Sequence, residues 1–546
     1  MDATTATDYS LWKTTKSLKR PMVFQSPIRR NDGSWAKSDA DKSLLFAEHL
    51  HRVFTPNPAS GSTKINVVME ALSAPNQQSP PIKKFSVKEV TSTIKKLSLN
   101  KAPGYDLITT KVMKELPYLA ILLLTAIFNA ILRREFMPAQ WKVAEIILIP
   151  KPGKDPDNVT SYRPISLLPV ASKILEILIL KRLSPELSRR NIIPSHQFGF
   201  REAHATIEQV HRMVEKIHDA YEHRKYCSAA FLDISQAFDR VWHEGLLYKI
   251  RQTLPLSYFA IIKSYLHQRH FYVKHGEDRT GLFEIKAGVP QGSVMGPVLY
   301  LIYTFDLPTT EEVLVGTFAD DTALIASHEN PATASVMLQK SINNISVWLE
   351  DWRIKVNETK SVHVTFALRH GTCPSVELNG VIIPKSESVR YLGMYLDRRL
   401  TWKKHIFTKR KALSAQFRKL YWLLSRKSKL SLDNKLLLYK AILKPMWSYG
   451  AEVWGTASNS NLDIIQRFQS KILRIITNAP WYVTNSQLHR DLRIPTVRVE
   501  ITNKHKSYSH RIQKHPNVLA RKLMNPAFER PSKRLKRRTP QDLLRS

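Results

Sequence analysis

Two adjacent aspartates, Asp320 and Asp321, interrupt an apolar run, Val313-Leu-Val-Gly-Thr-Phe-Ala-Asp-Asp-Thr-Ala-Leu-Ile-Ala-Ser327. β-Formers on both sides read as two short strands joined by a tight turn, with both carboxylates at the tip. Two unit charges about 4 Å apart repel by roughly 4 kcal/mol at an effective dielectric near 20. A rigid apolar hairpin built around this repulsion is suited to hold a cation, most naturally Mg²⁺ with oxygen ligands. From this segment alone an exposed Asp-Asp turn that binds nothing is equally open, because Asp is a common turn residue.

A third carboxylate stands earlier in the chain. Tyr226-Cys-Ser-Ala-Ala-Phe-Leu-Asp-Ile-Ser-Gln-Ala-Phe-Asp239 reads as an apolar strand ending on Asp233. Phe238, Val241, Trp242 and Gly245 then predict a helix by their three- and four-residue steps. A strand-end carboxylate that meets the hairpin tip completes what a two-metal phosphoryl-transfer site requires, with cations about 3.5–4 Å apart. Asp239, expected on the helix, is a structural partner rather than a ligand. Between these segments, Ala287-Gly-Val-Pro-Gln-Gly-Ser-Val-Met-Gly-Pro297 has the Gly and Pro density of a loop that approaches a ligand closely and then starts a helix, Val298 to Tyr303.

In this order the three segments resemble motifs A, B and C of the reverse transcriptase palm. Asn100-Lys-Ala-Pro-Gly-Tyr-Asp106, Ile149-Pro-Lys-Pro-Gly-Lys154, Ser161-Tyr-Arg-Pro-Ile-Ser166, His196-Gln-Phe-Gly-Phe-Arg201 and Tyr391-Leu-Gly393 narrow the resemblance. It is to the non-LTR (LINE-like) retrotransposon enzymes of the jockey group, over roughly residues 85–500. The resemblance implies an α+β right-hand polymerase with fingers, a palm built on an antiparallel sheet, and a helical thumb. The implied activity is RNA-directed DNA synthesis, extending a DNA primer 3′-hydroxyl on an RNA template with deoxynucleotides by two-metal phosphoryl transfer.

Residue by residue, the resemblance places Asp233 and Asp320 on both Mg²⁺ ions, with Mn²⁺ as a substitute. The Ile234 carbonyl completes the nucleotide-side metal, and Asp321 is the third, less directly bound acid. Phe238 falls on the steric gate that collides with a ribose 2′-hydroxyl; a core aromatic is the alternative. Gln291 and Gly292 approach the incoming nucleotide and template. Lys151 and Arg163 grip the triphosphate, Arg by its fixed fork, and Lys154 competes with Lys151 for that role. Lys360 is either the general acid for pyrophosphate or a plain surface lysine. Tyr391, Leu392 and Gly393 form the primer grip. Phe318 stands where many reverse transcriptases carry Tyr. No Asp/His/Asn constellation of an apurinic-type endonuclease is recognisable, so nicking is expected from another chain or a missing N-terminal domain. Two rival readings are a catalytically inactive, retained RNA/DNA-binding protein and an RNA-directed RNA polymerase. The intact acidic triad speaks against the first and the bulky Phe238 against the second.

Composition agrees independently. Eighty-three Lys and Arg against 46 Asp and Glu leave a formal charge of +37, an excess that suits a polyanionic partner. Two cysteines, Cys227 and Cys373, exclude a disulfide scaffold and fit a reducing compartment. No signal-peptide pattern opens the sequence, so the expected location is intracellular: the nucleus for integration and the cytoplasm for RNA assembly. The longest apolar run, Leu119 to Leu132, is too short for a bilayer and is expected as a core helix, with no membrane partner.

The expected organisation is an N-terminal extension over 1–85 with one helix at Ser43–Val53, fingers over 86–225, palm over 226–395, thumb over 396–500 and a basic tail over 501–546. A helix is predicted from Val87, Val90, Ile94 and Leu97, and a buried strand at Glu145–Pro150. The thumb is expected to begin with a helix from Lys403 to Leu430. Phe407, Phe417, Tyr421 and Trp422 should pack inward while Lys404, Lys409, Arg410, Lys411, Arg418, Lys419 and Arg426 track phosphates. The tail run Lys533-Arg-Leu-Lys-Arg-Arg538 reads as a nuclear signal, a nucleic-acid arm, or a chance cluster in a basic chain.

Overall fold

The computed structural model describes residues 26–30, 32–58, 64–75, 79–524, 535 and 538–544. Of the basic run Lys533–Arg538 only Leu535 and Arg538 fall among them, so the arm reading lies outside the described residues.

A four-stranded antiparallel sheet carries the acidic segments. Its order is Val362–Phe366, Tyr226–Leu232, Asp321–His328, Val313–Phe318. Strand residues alternate between faces, and here both faces are buried. Ala230, Leu232, Leu324 and Ala326 join the core beneath the helix Pro331–Asp351. Cys227, Ala229, Phe231, Ala323 and Ile325 join the core beneath the helix Thr206–Glu222. That explains why Tyr226–Leu232 is apolar without alternation and buried along its whole length. Small residues at 228–230 allow helices to approach from both sides. Cys227 and Cys373 are both free and buried.

A second sheet runs Tyr162–Leu167, Val143–Pro150, Arg269–His275 and Asp278–Arg279, with Phe283–Ile285 also on Arg269–His275. Val143–Pro150 and Arg269–His275 are parallel; the other pairs are antiparallel. The helix Asp39–Val53, capped by the Ser38 hydroxyl, packs Phe46 and Leu50 with Phe271 and Val273. The helix Val87–Lys96 opens with a full Ser86/Glu89 capping box. A hairpin, Ser388–Tyr391 with Met394–Asp397, leads to a helical region containing Lys403–Leu424, Asn459–Thr477 and Val497–Gln513.

Four sequence expectations are corrected. No helix follows Asp233 directly; residues 235–240 form turns and the helix starts at His243. The carbonyls of Phe238 and Val241 instead accept the amides of Val289 and Gly288, so they are unavailable to a helical ladder. The basic helix ends at Leu424 rather than Leu430, and of its four aromatics only Phe417 is buried. Phe407, Tyr421 and Trp422 face solvent. The Leu119–Leu132 segment lies within the helix Tyr118–Arg134 but buries only Thr125, Phe128, Ile131 and Leu132, leaving Leu119 and Leu123 exposed. The strand at Val143–Pro150 is buried only in part, since Ile147 and Ile149 face outward.

Candidate active site

Antiparallel register brings the acids together. Thr322 pairs with Leu232, so Asp321 begins its strand beside the end where Asp233 leaves its own. Asp320 sits in the turn between Phe318 and Asp321, which are themselves paired. Asp233 and Asp320 line one cavity of about 890 Å³ together with Ile234, Phe238, Asp239 and Gln291. Asp321, one residue on from Asp320, is not among its lining residues. Burial and then Asp233 raise the Asp320 carboxyl above its ordinary value. Asp321 keeps an exposed edge. The surrounding protein and then Asp320 and Asp233 nonetheless push it up to about 6. Asp320 and Asp321 thus feel their acidic neighbours as unfavourable negative charge, which is the electrostatic condition a bound cation relieves.

The hairpin tip is held from behind by a segment whose role the sequence does not disclose. The Gln197 side chain accepts the Ala319 N–H at 2.9 Å and donates to the Ala319 carbonyl at 3.3 Å. Its oxygen also accepts the Gly199 N–H at 2.7 Å. Backbone bonds from Phe198 N–H to the Thr317 carbonyl and from Thr317 N–H to the His196 carbonyl fasten the same segment along the strand Val313–Phe318 that leads into the turn. Ala319 has φ +57°, a left-handed conformation that only outside support maintains in a residue with a side chain. A Cβ on Gly199 would lie 2.1 Å from the Ala319 nitrogen, so only glycine permits this approach.

The Gly-rich loop is positioned just as firmly. Gly292 has φ +117°, and a Cβ there would stand 2.7 Å from the Ser166 carbonyl oxygen. Ser166 donates its N–H to the Gln291 carbonyl. The Glu176 carboxylate, fully buried on the helix Val170–Arg189, accepts the N–H groups of Val294 and Met295 at 2.7 and 3.0 Å. It thereby holds the start of the helix Gly296–Tyr303, where negative charge is favoured. Burial keeps the Glu176 pKa raised. A lone acid in Ile174-Leu-Glu-Ile-Leu178 was the available signal for this residue. The Gln291 amide donates to Asp239 at 2.7 Å. Phe238 lies between two other rings, stacked on Tyr300 at 4.6 Å and meeting Phe200 edge-on at 5.6 Å.

A family described as reverse transcriptase (RNA-dependent DNA polymerase) matches residues 149–396. The probable RNA-directed DNA polymerase from transposon X-element of Drosophila melanogaster is 44% identical, over 98% of this chain and 59% of that protein. The RNA-directed DNA polymerase from mobile element jockey of the same organism is 41% identical, over 100% of this chain and 61% of that protein. Residues 149–396 form a domain of the reverse transcriptase family. The chain spans about three fifths of the length of these curated relatives. Among solved structures, apo telomerase from Candida Tropicalis, truncated from its C-terminal domain, overlays with a TM-score of 0.32 at 16% identity, covering 50% of this chain and 59% of that one. That likeness is too loose to bear on the fold.

The cavity that holds Asp233 and Asp320 is also lined by cations. Lys151, Lys154, Arg163, Lys355 and Lys360 all line it. Lys151 and Arg163 come from neighbouring strand ends, with Ile149 paired to Arg163. The Lys151 ammonium bonds the Thr160 carbonyl at 2.8 Å, and its pKa is lowered by burial and then by Arg163. The segment bearing Lys360 reaches the cavity because Asn357 N–H bonds the Asp233 carbonyl and Ser235 N–H bonds the Lys355 carbonyl. Leu392 and Gly393 form the left-handed turn of the Ser388–Asp397 hairpin. Tyr391 points into the core instead, its ring 5.2 Å from Phe231. It therefore offers no ring to a primer.

Polymerases of this family depend on divalent metal ions. Among the described residues, no three His, Cys, Asp or Glu side chains are gathered into a cage that would hold an ion unaided. Two carboxylates on one cavity wall still fit a hard cation of the Mg²⁺ kind, which completes its shell with water and substrate phosphate oxygens. No described helix is long and apolar enough to cross a membrane.

Proposed function

We propose that this chain is the RNA-directed DNA polymerase of a non-LTR retrotransposon, using an RNA template, a DNA primer and deoxynucleoside triphosphates. The observation that carries the reading is one cavity lined together by Asp233 and Asp320, by Lys151 and Arg163, and by Phe238. Asp233, Asp320 and the Ile234 carbonyl would hold Mg²⁺, with Asp321 adding negative charge from just outside. Bound ions would neutralise charge on the attacking and leaving oxygens.

The protein's own groups supply the rest. The primer 3′-hydroxyl gives up its proton to solvent as its oxygen bonds to the α-phosphorus of the nucleotide, and pyrophosphate leaves with the electron pair of the broken bond. Lys151 and Arg163 bind the triphosphate oxygens, where charge-assisted hydrogen bonds are strongest. Gln291, tied to Asp239, and Gly292 shape the nucleotide's floor. Phe238 fills the volume a 2′-hydroxyl would need. Lys360 stands in the cavity as a proton donor to pyrophosphate. Leu392 and Gly393 contact the primer backbone.

On this reading fingers, palm and thumb take 86–225, 226–395 and 396–500, and the longer relatives leave room for an endonuclease supplied by another segment or another chain. Integration puts the working protein in the nucleus. The test is incorporation of dTTP on poly(rA) primed with oligo(dT), with and without Mg²⁺, beside Asp320→Asn. Metal-dependent incorporation that the variant lacks supports the proposal. Binding without incorporation identifies an inactive nucleic-acid-binding protein, and incorporation of UTP instead identifies an RNA polymerase.

A further inference from the structure

The loop joining the helices Asn459–Thr477 and Asn485–Asp491 carries Trp481 at 90% exposure and Tyr482 at 68%. Water disfavours two such rings, and the chain has ample core to bury them. The loop is nevertheless tightly built. Asn478, in the left-handed conformation, ends the first helix, and Thr484 caps the second through its hydroxyl. The Arg474 guanidinium donates to the Asn485 side-chain oxygen at 3.0 Å, to the Pro480 carbonyl at 3.1 Å and to the Val483 carbonyl. Val483 N–H returns to the Pro480 carbonyl. The two rings meet nearly at right angles, 6.0 Å apart, so Tyr482 props Trp481 without covering it.

The surroundings say what such a display is for. Arg467 and Lys471 are exposed and lie at helical steps from Arg474, forming a cationic stripe that leads to the loop. Arg490 and Arg493 are exposed beyond it. Asp463, further back along the stripe, is paired with Arg498 at 2.7 Å. Pro480 and Val483 adjoin the rings, and the exposed residues Asn478, Thr484, Asn485, Ser486 and Gln487 around them are polar. A protein-docking patch would surround its aromatic anchors with an apolar core. Isolated, rigidly presented rings beside a cationic track are instead the arrangement that binds single-stranded nucleic acid, phosphates on the cations and bases on the rings.

We infer that Trp481, supported by Tyr482 and held by Arg474, is a stacking platform for unpaired bases of a single-stranded nucleic acid that runs along Arg467 and Lys471. This deepens the polymerase reading, since it assigns a place where unpaired template is held, and it rests on that reading for the identity of the strand.

The test is fluorescence-anisotropy titration of the full chain with labelled oligo(rA), oligo(dA) and a blunt oligo(rA)·oligo(dT) hybrid, repeated over a range of salt. Trp481→Ala should weaken oligo(rA) binding roughly tenfold or more, with the salt dependence unchanged because no phosphate contact is lost. Trp481→Phe should recover much of the loss, since a ring is restored. Lys471→Ala should weaken binding and also flatten the salt dependence, by roughly 0.7 in the logarithmic slope for a single strand. A greater loss on oligo(rA) than on oligo(dA) assigns the platform to RNA; equal losses assign it to either strand. Full binding by Trp481→Ala, an equal loss on the hybrid, or no recovery by Trp481→Phe would each overturn the inference. Should the unsubstituted protein bind oligo(rA) through Trp481 yet extend no primer, the polymerase reading fails and the platform stands. Should it extend primers while Trp481→Ala binds normally, the platform alone fails.

Discussion

The side-chain amide of Gln197 closes on both polar groups of the Ala319 backbone, immediately before Asp320 and Asp321. Remove that amide and a strained left-handed residue loses the partners that hold it. An unsatisfied buried donor costs about 1–3 kcal/mol. Relaxation of the turn would displace the Asp320 carboxylate, and small displacements of reacting groups are costly. Gln197→Ala should lower the turnover rate of primer extension roughly tenfold, with template affinity little changed. Gly199→Ala should do at least as much harm, since its Cβ would meet the Ala319 nitrogen at 2.1 Å. Steady-state extension at saturating template separates the two effects. Full turnover in Gln197→Ala would remove this bracing role.

The acids themselves should differ in importance. Asp233 and Asp320 face the cavity, whereas Asp321 does not line it. Asp233→Asn and Asp320→Asn are each expected to reduce extension below detection, because each removes the negative charge with which the carboxylate is proposed to hold a metal ion. Asp321→Asn should leave a trace. Single-nucleotide extension over long incubations distinguishes trace from none, and equal survival of all three variants would contradict the assignment.

Phe238 is fixed on two sides, by Tyr300 below and Phe200 beside. A ring so confined cannot swing aside for a 2′-hydroxyl. Phe238→Ala should therefore improve ribonucleotide use relative to deoxynucleotides by roughly tenfold or more, a change within what one steric contact controls. Competing dTTP against UTP on a poly(rA) template measures it. Unchanged sugar discrimination would return Phe238 to a purely structural role.

How legible this was depended on the range of each interaction. The hairpin at Asp320–Asp321 and the strand ending at Asp233 rest on local apolar patterning, and both stand where the pattern puts them. The helix expected directly after Asp233 does not form over Phe238 and Asp239, because Val289 and Gly288, far along the chain, capture the backbone carbonyls of Phe238 and Val241. Gln197 illustrates the same limit. Its partner Ala319 is 122 residues away, and nothing local in His196–Arg201 discloses a hydrogen-bonding duty. The exposed Tyr421 and Trp422 fail in the other direction, since helical spacing alone cannot say which stripe finds a partner.

Asp239 makes stability depend on pH in an unusual direction. Its carboxyl is buried, and burial pushes it up to about 7 from an ordinary 3.8, outweighing the hydrogen bond from Gln291 and the nearby Lys151 and Arg240. Between those two values the folded chain keeps a proton that the unfolded chain has released. The native state then binds more protons than the unfolded state, so this residue's contribution to stability declines as pH rises toward about 7. Asn at this position stays neutral and can still accept the Gln291 amide. Urea unfolding without divalent ions should therefore show Asp239→Asn gaining on the parent protein as pH rises from about 5 to about 8, cancelling the titrations the two share. A stability difference that stays constant across this range would mean that Asp239 is ionised in the fold throughout, and that the cations around it outweigh its burial.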